Sequence, residues 1–302
     1  MRVVSRLVVP VVEAPAVVHG ALWMVGAGLC FAVMTGLIRY VSGGLHPFEI
    51  VFFRNLFGLA ALTPWFLRVG RTGLATRRRS LHFWRGIVGL VAMLAWFYAI
   101  SAIPLAEAVA LTFTAPLFAT VGAVLVLGEV VRLRRLTAIL FGFVGAMIIL
   151  RPGLGNISLG TGMALLSAVA MANSVIVVKL LSRTETTPTI VAWGQLIVLP
   201  LSVVPAVLVW RWPDPMDLVW LALIGVLATL GHLAVTRSFT VADTTAVMPY
   251  DFLRLVFTAI IGFALFGERP DGWTLVGAGV IFLSSFYVAR REARLARSRR
   301  AP

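Results

Sequence analysis

Residues 84–107 read WRGIVGLVAMLAWFYAISAIPLAE, and residues 220–243 read WLALIGVLATLGHLAVTRSFTVAD. Trp84, Gly89, Ala106 and Glu107 stand 136 residues before Trp220, Gly225, Ala242 and Asp243. Outward from this pair the offset returns with small drift. Pro47 and Pro64 precede Pro188 and Pro205 by 141 residues, and Gly128-Glu129 precedes Gly267-Glu268 by 139. Short insertions in loops account for the drift.

A helix needs about 20 mostly apolar residues to cross roughly 30 Å of hydrocarbon. Ten such runs are read, at about 20–41, 48–67, 82–101, 105–127, 136–151, 160–181, 190–210, 218–237, 243–266 and 272–289. Their connections are short and carry Gly, Pro or charge, as in Ser42-Gly43-Gly44, Ile103-Pro104 and Trp212-Pro213-Asp214-Pro215. The expected fold is an all-α polytopic membrane protein with ten transmembrane helices, arranged as two five-helix repeats. Backbone polar groups in lipid are satisfied within helices, and the alternation of a β-barrel strand is absent. Five is odd, so the second copy enters from the opposite side. Inverted repeats of this kind place a substrate site at the midplane between the copies.

Composition agrees. The chain has 302 residues, 60% hydrophobic and 13% charged, with a mean hydropathy of +0.98. Soluble domains average roughly 45–50% apolar and about 25% charged. The formal charge is +14, but the arginines lie in connections between apolar runs, where they set orientation rather than bind nucleic acid. Arg68, Arg71, Arg77–Arg79, Arg132, Arg134, Arg135, Arg183, Arg237 and the tail from Arg290 share one side, with Arg2 and Arg6. Only Arg151, Arg211 and Arg269, with Arg39 nearby, fall on the other. Positive loops stay in the cytoplasm, so both termini are expected there, in a bacterial inner membrane. The organisation expected is a cytoplasmic N-terminal tail over 1–19, a first repeat over 20–153, a second over 154–290 and a basic tail over 291–302. The start imitates a signal peptide, but Pro10 and Glu13 interrupt its apolar centre.

Several local motifs carry a family resemblance: Pro47-Phe48-Glu49-Ile50-Val51-Phe52-Phe53-Arg54, Ala106-Glu107-Ala108 leading to Pro116 and Gly128-Glu129, and Gly142-Phe143-Val144-Gly145-Ala146. In this order, within a twice-repeated ten-span chain, they resemble the EamA-type branch of the drug/metabolite transporter superfamily over about residues 20–290. Gln195 stands where the second copy of the pattern would have its arginine. The resemblance implies secondary transport of a small metabolite, with amino-acid exporters as the leading comparison. It also implies a cavity enclosed by spans 1–4 and 6–9, with spans 5 and 10 as scaffold.

An ionisable residue at membrane depth is a functional candidate, because lipid makes it costly. Arg54 could take a substrate carboxylate, bond the carbonyls of a broken neighbouring helix, or snorkel outward. Asp251 and Arg254 are three apart, hence neighbours on one face. They form either a self-neutralising pair or a partner for a zwitterion, with the Tyr250 hydroxyl beside them. His232 is either a proton-coupling group or a neutral ring bonded to a neighbour. Asn173 and Gln195 offer donors and acceptors without charge. Trp96, Tyr98 and Phe113 could line an apolar pocket. Glu107 and Asp243 fit helix N-termini, and Glu129 and Glu268 need compensation at C-termini. Trp65, Trp84, Trp210, Trp212, Trp220 and Trp273 read as interface anchors.

No phosphate loop is possible around Lys179, the single lysine. Four scattered histidines and the lone Cys30 offer neither a metal set nor an activated nucleophile, so no enzyme, cofactor or metal is expected. The small-residue runs read as packing within a monomer, with a dimer contact as the alternative.

Overall fold

The computed structural model describes residues 14–69, 76–122 apart from 116 and 120, 140–149 apart from 142 and 146, 158–241 apart from 182, 183 and 186, then 247 and 250–298 apart from 252. Helices follow one another as α1 (Ala14–Val41), α2 (Pro47–Val69), α3 (Arg79–Ala102), α4 (Leu105–Thr112), α5 (Leu159–Leu181), α6 (Thr187–Val207), α7 (Pro215–Val241), α8 (Leu253–Phe266) and α9 (Gly272–Ser298). Among the described residues there is no strand. Among the described residues, four helices are by themselves long and apolar enough to cross a membrane, and four shorter apolar ones accompany them. Asp243, Glu129, Pro116 and Pro249 lie outside the described residues.

The punctuation explains the boundaries. The Ile103-Pro104 turn separates α3 from α4, with Pro104 extended at φ −54° and ψ 139°. Pro215 opens α7, where its missing N–H costs nothing. Gly267 ends α8 at φ +66°, a left-handed conformation that glycine adopts without penalty. There its N–H bonds Phe263 O at 3.1 Å, and Glu268 N–H bonds Gly262 O at 3.0 Å. The basic tail, expected to start at 291, instead continues α9 to Ser298. Alanine, arginine and glutamate are good helix formers, and arginine suits a helix C-terminus.

Helix partners follow the repeat. By the offset, α1 to α3 correspond to α5 to α7. The two heaviest helix contacts are α1 on α7 and α3 on α5, which the correspondence exchanges. The contacts of α2 on α7 and α6 on α3 are exchanged in the same way. Close approach needs glycine: a side chain at Gly225 of α7 would meet the backbone of Phe57 and Gly58 on α2. Gly145 and Gly277 likewise meet backbone to backbone.

The helix ends show direction. At one end, Glu268 after α8 joins the start of α4 and the end of α1. Its Oε2 accepts Leu105 N–H at 2.7 Å and its Oε1 pairs with Arg39 at 3.2 Å. At the same end Glu49, wholly buried at the start of α2, accepts N–H from His46 (3.0 Å) and from Arg211 (2.5 Å) in the α6–α7 connection. Thr161 at the start of α5 donates to Glu107 at 3.3 Å. The opposite end joins Glu185 after α5 to Thr76 and to His82 early in α3, and Ser238 late in α7 to Gly20 of α1. So α1 ends where α5 begins, and α2 begins where α6 ends.

Two tryptophans differ from expectation. Trp210 and Trp220 pack against the main hydrophobic cluster of α1, α2, α3 and α7, where burial outweighs an interfacial position. Trp84, Trp212 and Trp273 are exposed, as anchors would be.

Candidate functional site

A helix break and a 3₁₀ turn frame the site. Helix α4 stops at Thr112, where the Phe113 and Thr114 N–H groups reach back only three residues, to Ala110 O and Leu111 O. The Thr112 and Thr114 hydroxyls bond the carbonyls of Val109 and Leu111 at 2.7 and 2.6 Å. Helical residues resume at Ala115. Before α8 the chain makes a tighter 3₁₀ turn at Tyr250 and Asp251. These positions are 137 and 138 residues after Phe113, within the drift of the repeat. Irregular backbone at membrane depth is tolerated where protein or a cavity satisfies it.

Around the break and the turn, three basic side chains converge. Arg54 on α2 is 7% exposed, so it does not snorkel. Its guanidinium donates to Asn55 Oδ1 at 2.9 Å, lies 3.9 Å from Met93 Sδ and 3.4 Å from His232 Nε2 on α7. None of these partners is a carboxylate, and none is a carbonyl of a broken helix. Asn55 is held in turn by its bond to Val51 O at 2.9 Å. Arginine cannot accept a hydrogen bond, so the Arg54–His232 contact forms only with Nε2 unprotonated. This geometry suits the neutral-ring reading of His232.

His232 is an exposed residue of α7. Phe31 of α1 meets it edge-on at 5.2 Å, and the charges of Arg54 and Arg254 both reach it. Arg254 on α8 sits over the Phe113 ring at 5.2 Å, inside cation–π range. Its Nη2 is 3.9 Å from Asp251 Oδ2, and its Nε is buried without a hydrogen bond. Helix α8 packs on α1, with Gly28 facing the Arg254 backbone.

Six of the ten candidates from the sequence are thus accounted for, though not all by contact with substrate-sized space. Arg54, His232, Arg254, Asp251 and Phe113 form the cluster. Trp96 instead packs against both large hydrophobic clusters. Tyr98, Asn173 and Gln195 are half-buried and Tyr250 is exposed; no hydrogen bond ties them to the cluster. Asn173 Oδ1 is buried and unbonded. Trp193, a weaker pocket candidate, stacks on His82 at 5.6 Å, away from the cluster. Sequence reasoning missed Asn55, although a lone amide beside Arg54 in an apolar run was a signal. A separate pocket of about 250 Å³, lined by Glu107, Arg269 and Asp271 among others, opens at the Glu268 end and shares no residue with the cluster.

Comparison with known proteins identifies the fold. The chain matches the EamA-like transporter family over residues 18–151 and again over 158–290. The chain belongs to this family. A riboflavin transporter of Vibrio cholerae is 32% identical over 288 residues, 93% of this chain and 96% of the relative. An S-adenosylmethionine uptake transporter of Rickettsia prowazekii is 26% identical over 91% of this chain and 93% of its own. The pseudopaline exporter of Pseudomonas aeruginosa is 31% identical over 90% and 96%. A solved crystal structure matches with a TM-score of 0.61 over 90% of this chain and 98% of its own, at 18% identity, a likeness of fold. The family resemblance read from the motifs holds, and the two family matches coincide with the two repeats. This protein is an EamA-family membrane transporter, and its relatives are bacterial. The narrowing to amino acids finds no support among these relatives.

Proposed function

We propose that this EamA-family protein is a secondary carrier of small organic metabolites, working by alternating access between two inverted halves of five spans each. The opposed directions of α1 and α5, and of α2 and α6, support the inversion. The observation that carries the reading is the cluster of Arg54 on α2 against His232 on α7, with Arg254 on α8 nearby, beside the break after α4. Half-helices and irregular backbone at the midplane are the usual setting of a carrier site.

The end contacts supply the gates. Opening one way parts the Glu268–Arg39–Leu105 and Glu49–Arg211 contacts, while the Thr76–Glu185–His82 and Ser238–Gly20 contacts hold. Opening the other way reverses this. The arginine-rich connections support a cytoplasmic location for the Glu185 end and both termini, in a bacterial inner membrane. Relatives named for uptake and for export share this route, so the export expected from sequence widens to transport in either sense. Riboflavin, S-adenosylmethionine and pseudopaline, named for relatives, are larger than an amino acid, which widens the substrate class as well. Monomeric function suffices for this cycle. The test is flux in liposomes containing the purified protein: saturable uptake of a metabolite from a broad panel supports a carrier, and linear, unsaturable flux refutes it.

A further inference from the structure

Charge at the cluster does not balance. Arg54 and Arg254 bring two guanidiniums, and Asp251 is the one carboxylate beside them among the described residues. The surrounding groups from the other elements are neutral: Phe31 of α1, Asn55 of α2, Met93 of α3, Phe113 before the α4 break and His232 of α7. The described carboxylates Glu49, Glu185 and Glu268 are engaged at the helix ends. Asp251 is three residues from Arg254 and serves it alone, so Arg54 remains 93% buried with only neutral partners. Buried charge without a counter-charge is strongly disfavoured. The start of α8 adds the positive end of a helix dipole near Arg254.

We infer that the cluster is an anion site, built for a substrate whose carboxylate or phosphate meets Arg54, with Arg254 and His232 beside it. This rests on the carrier reading above and specifies the charge of its substrate. Guanidiniums grip both anions in a bidentate way. The Phe31 and Phe113 rings beside the two arginines suit an apolar or planar body attached to the anionic group. A neutral zwitterion would leave one guanidinium uncompensated, and a cation would be repelled by both.

Matched probes test the charge. Riboflavin with riboflavin 5′-phosphate, glutamine with glutamate, and S-adenosylmethionine as a cation are each titrated against the full-length purified protein, reading the thermal unfolding midpoint. A ligand of the folded state raises it by mass action. At least one anionic probe should bind about tenfold or more tightly than its neutral partner. Arg54→Gln should erase that preference and Arg54→Lys should retain part of it. Arg254→Gln is the second variant if Arg54→Gln does not fold. The pairing of arms distinguishes phosphate from carboxylate. Equal binding within both pairs, tightest binding of the cation, or no midpoint shift with either anion overturns the inference. Liposome flux of riboflavin, glutamine or S-adenosylmethionine with those results leaves the carrier reading standing. Folded protein that moves none of the five probes counts against the carrier reading instead.

Discussion

Replacing Glu268 separates a hydrogen bond from a charge. Its Oε2 accepts the N–H of Leu105, a wholly buried residue that opens α4, at 2.7 Å. Its Oε1 faces Arg39 at 3.2 Å, with side chains 14% and 24% exposed. Arg39 keeps other acceptors, Ile100 O at 2.7 Å and Ile103 O at 3.3 Å. Glu268→Ala strands the Leu105 N–H, which costs about 1–3 kcal/mol. Loss of the partly exposed ion pair adds about 0–1 kcal/mol, for a total of about 1–4 kcal/mol. Glu268→Gln keeps an acceptor at the same reach and loses the charge, so it should cost about 1 kcal/mol or less. Reversible unfolding in mixed detergent and dodecyl sulfate micelles, followed by tryptophan fluorescence, measures both. Equal destabilisation by alanine and glutamine would refute the reasoning, because it would make the N–H bond worthless.

Gly225→Ala should destabilise by about 1–3 kcal/mol in the same assay, since the new methyl meets backbone that cannot yield; a neutral result would mean that α2 and α7 are not this close. At the opposite end, burial pushes the Glu185 carboxyl up, but bonds from Thr76, His82 and the Arg78 backbone and the charge of His82 outweigh it, so it titrates below the usual carboxylate range. A folded-state pKa below the unfolded one gives stability that is present above the unfolded value and lost as pH falls through the folded one. The stability gap between wild type and Glu185→Gln should therefore be present at neutral pH and close on acidification below about pH 4; a gap that widens in acid contradicts the contact. With Cys30 replaced by serine, a cysteine at Asp214 should react with an impermeant thiol reagent applied to intact cells, and one at Thr184 only after lysis. The reverse pattern would invert the orientation.

The repeat, its punctuation and the arginine asymmetry made the architecture legible. A proline at Pro104 or Pro215 and a glycine at Gly267 fix helix ends through backbone geometry that a sequence displays directly. Arg54, Asp251, Arg254 and His232 were legible as candidates because a polar group in lipid is conspicuous. Their convergence was not, since it depends on α2 packing against α7, where Gly225 meets α2 backbone, and on α8 packing against α1. Trp96 misled for a related reason: an aromatic ring serves a packed core and a pocket equally well. Glu268 was legible as a charge needing compensation, but its main partner, the Leu105 N–H group, comes from backbone 163 residues away.

The central claim is that substrate passes one at a time through the Arg54–His232–Arg254 cluster. Counterflow tests it most directly. Liposomes holding the purified protein are preloaded with unlabelled probe, and labelled probe is supplied outside, for riboflavin, riboflavin 5′-phosphate, glutamine, glutamate and S-adenosylmethionine in turn. A carrier predicts a transient overshoot of label that saturates with concentration and disappears in Arg54→Gln. Label that equilibrates without overshoot, or an overshoot undiminished in folded Arg54→Gln protein, would contradict it.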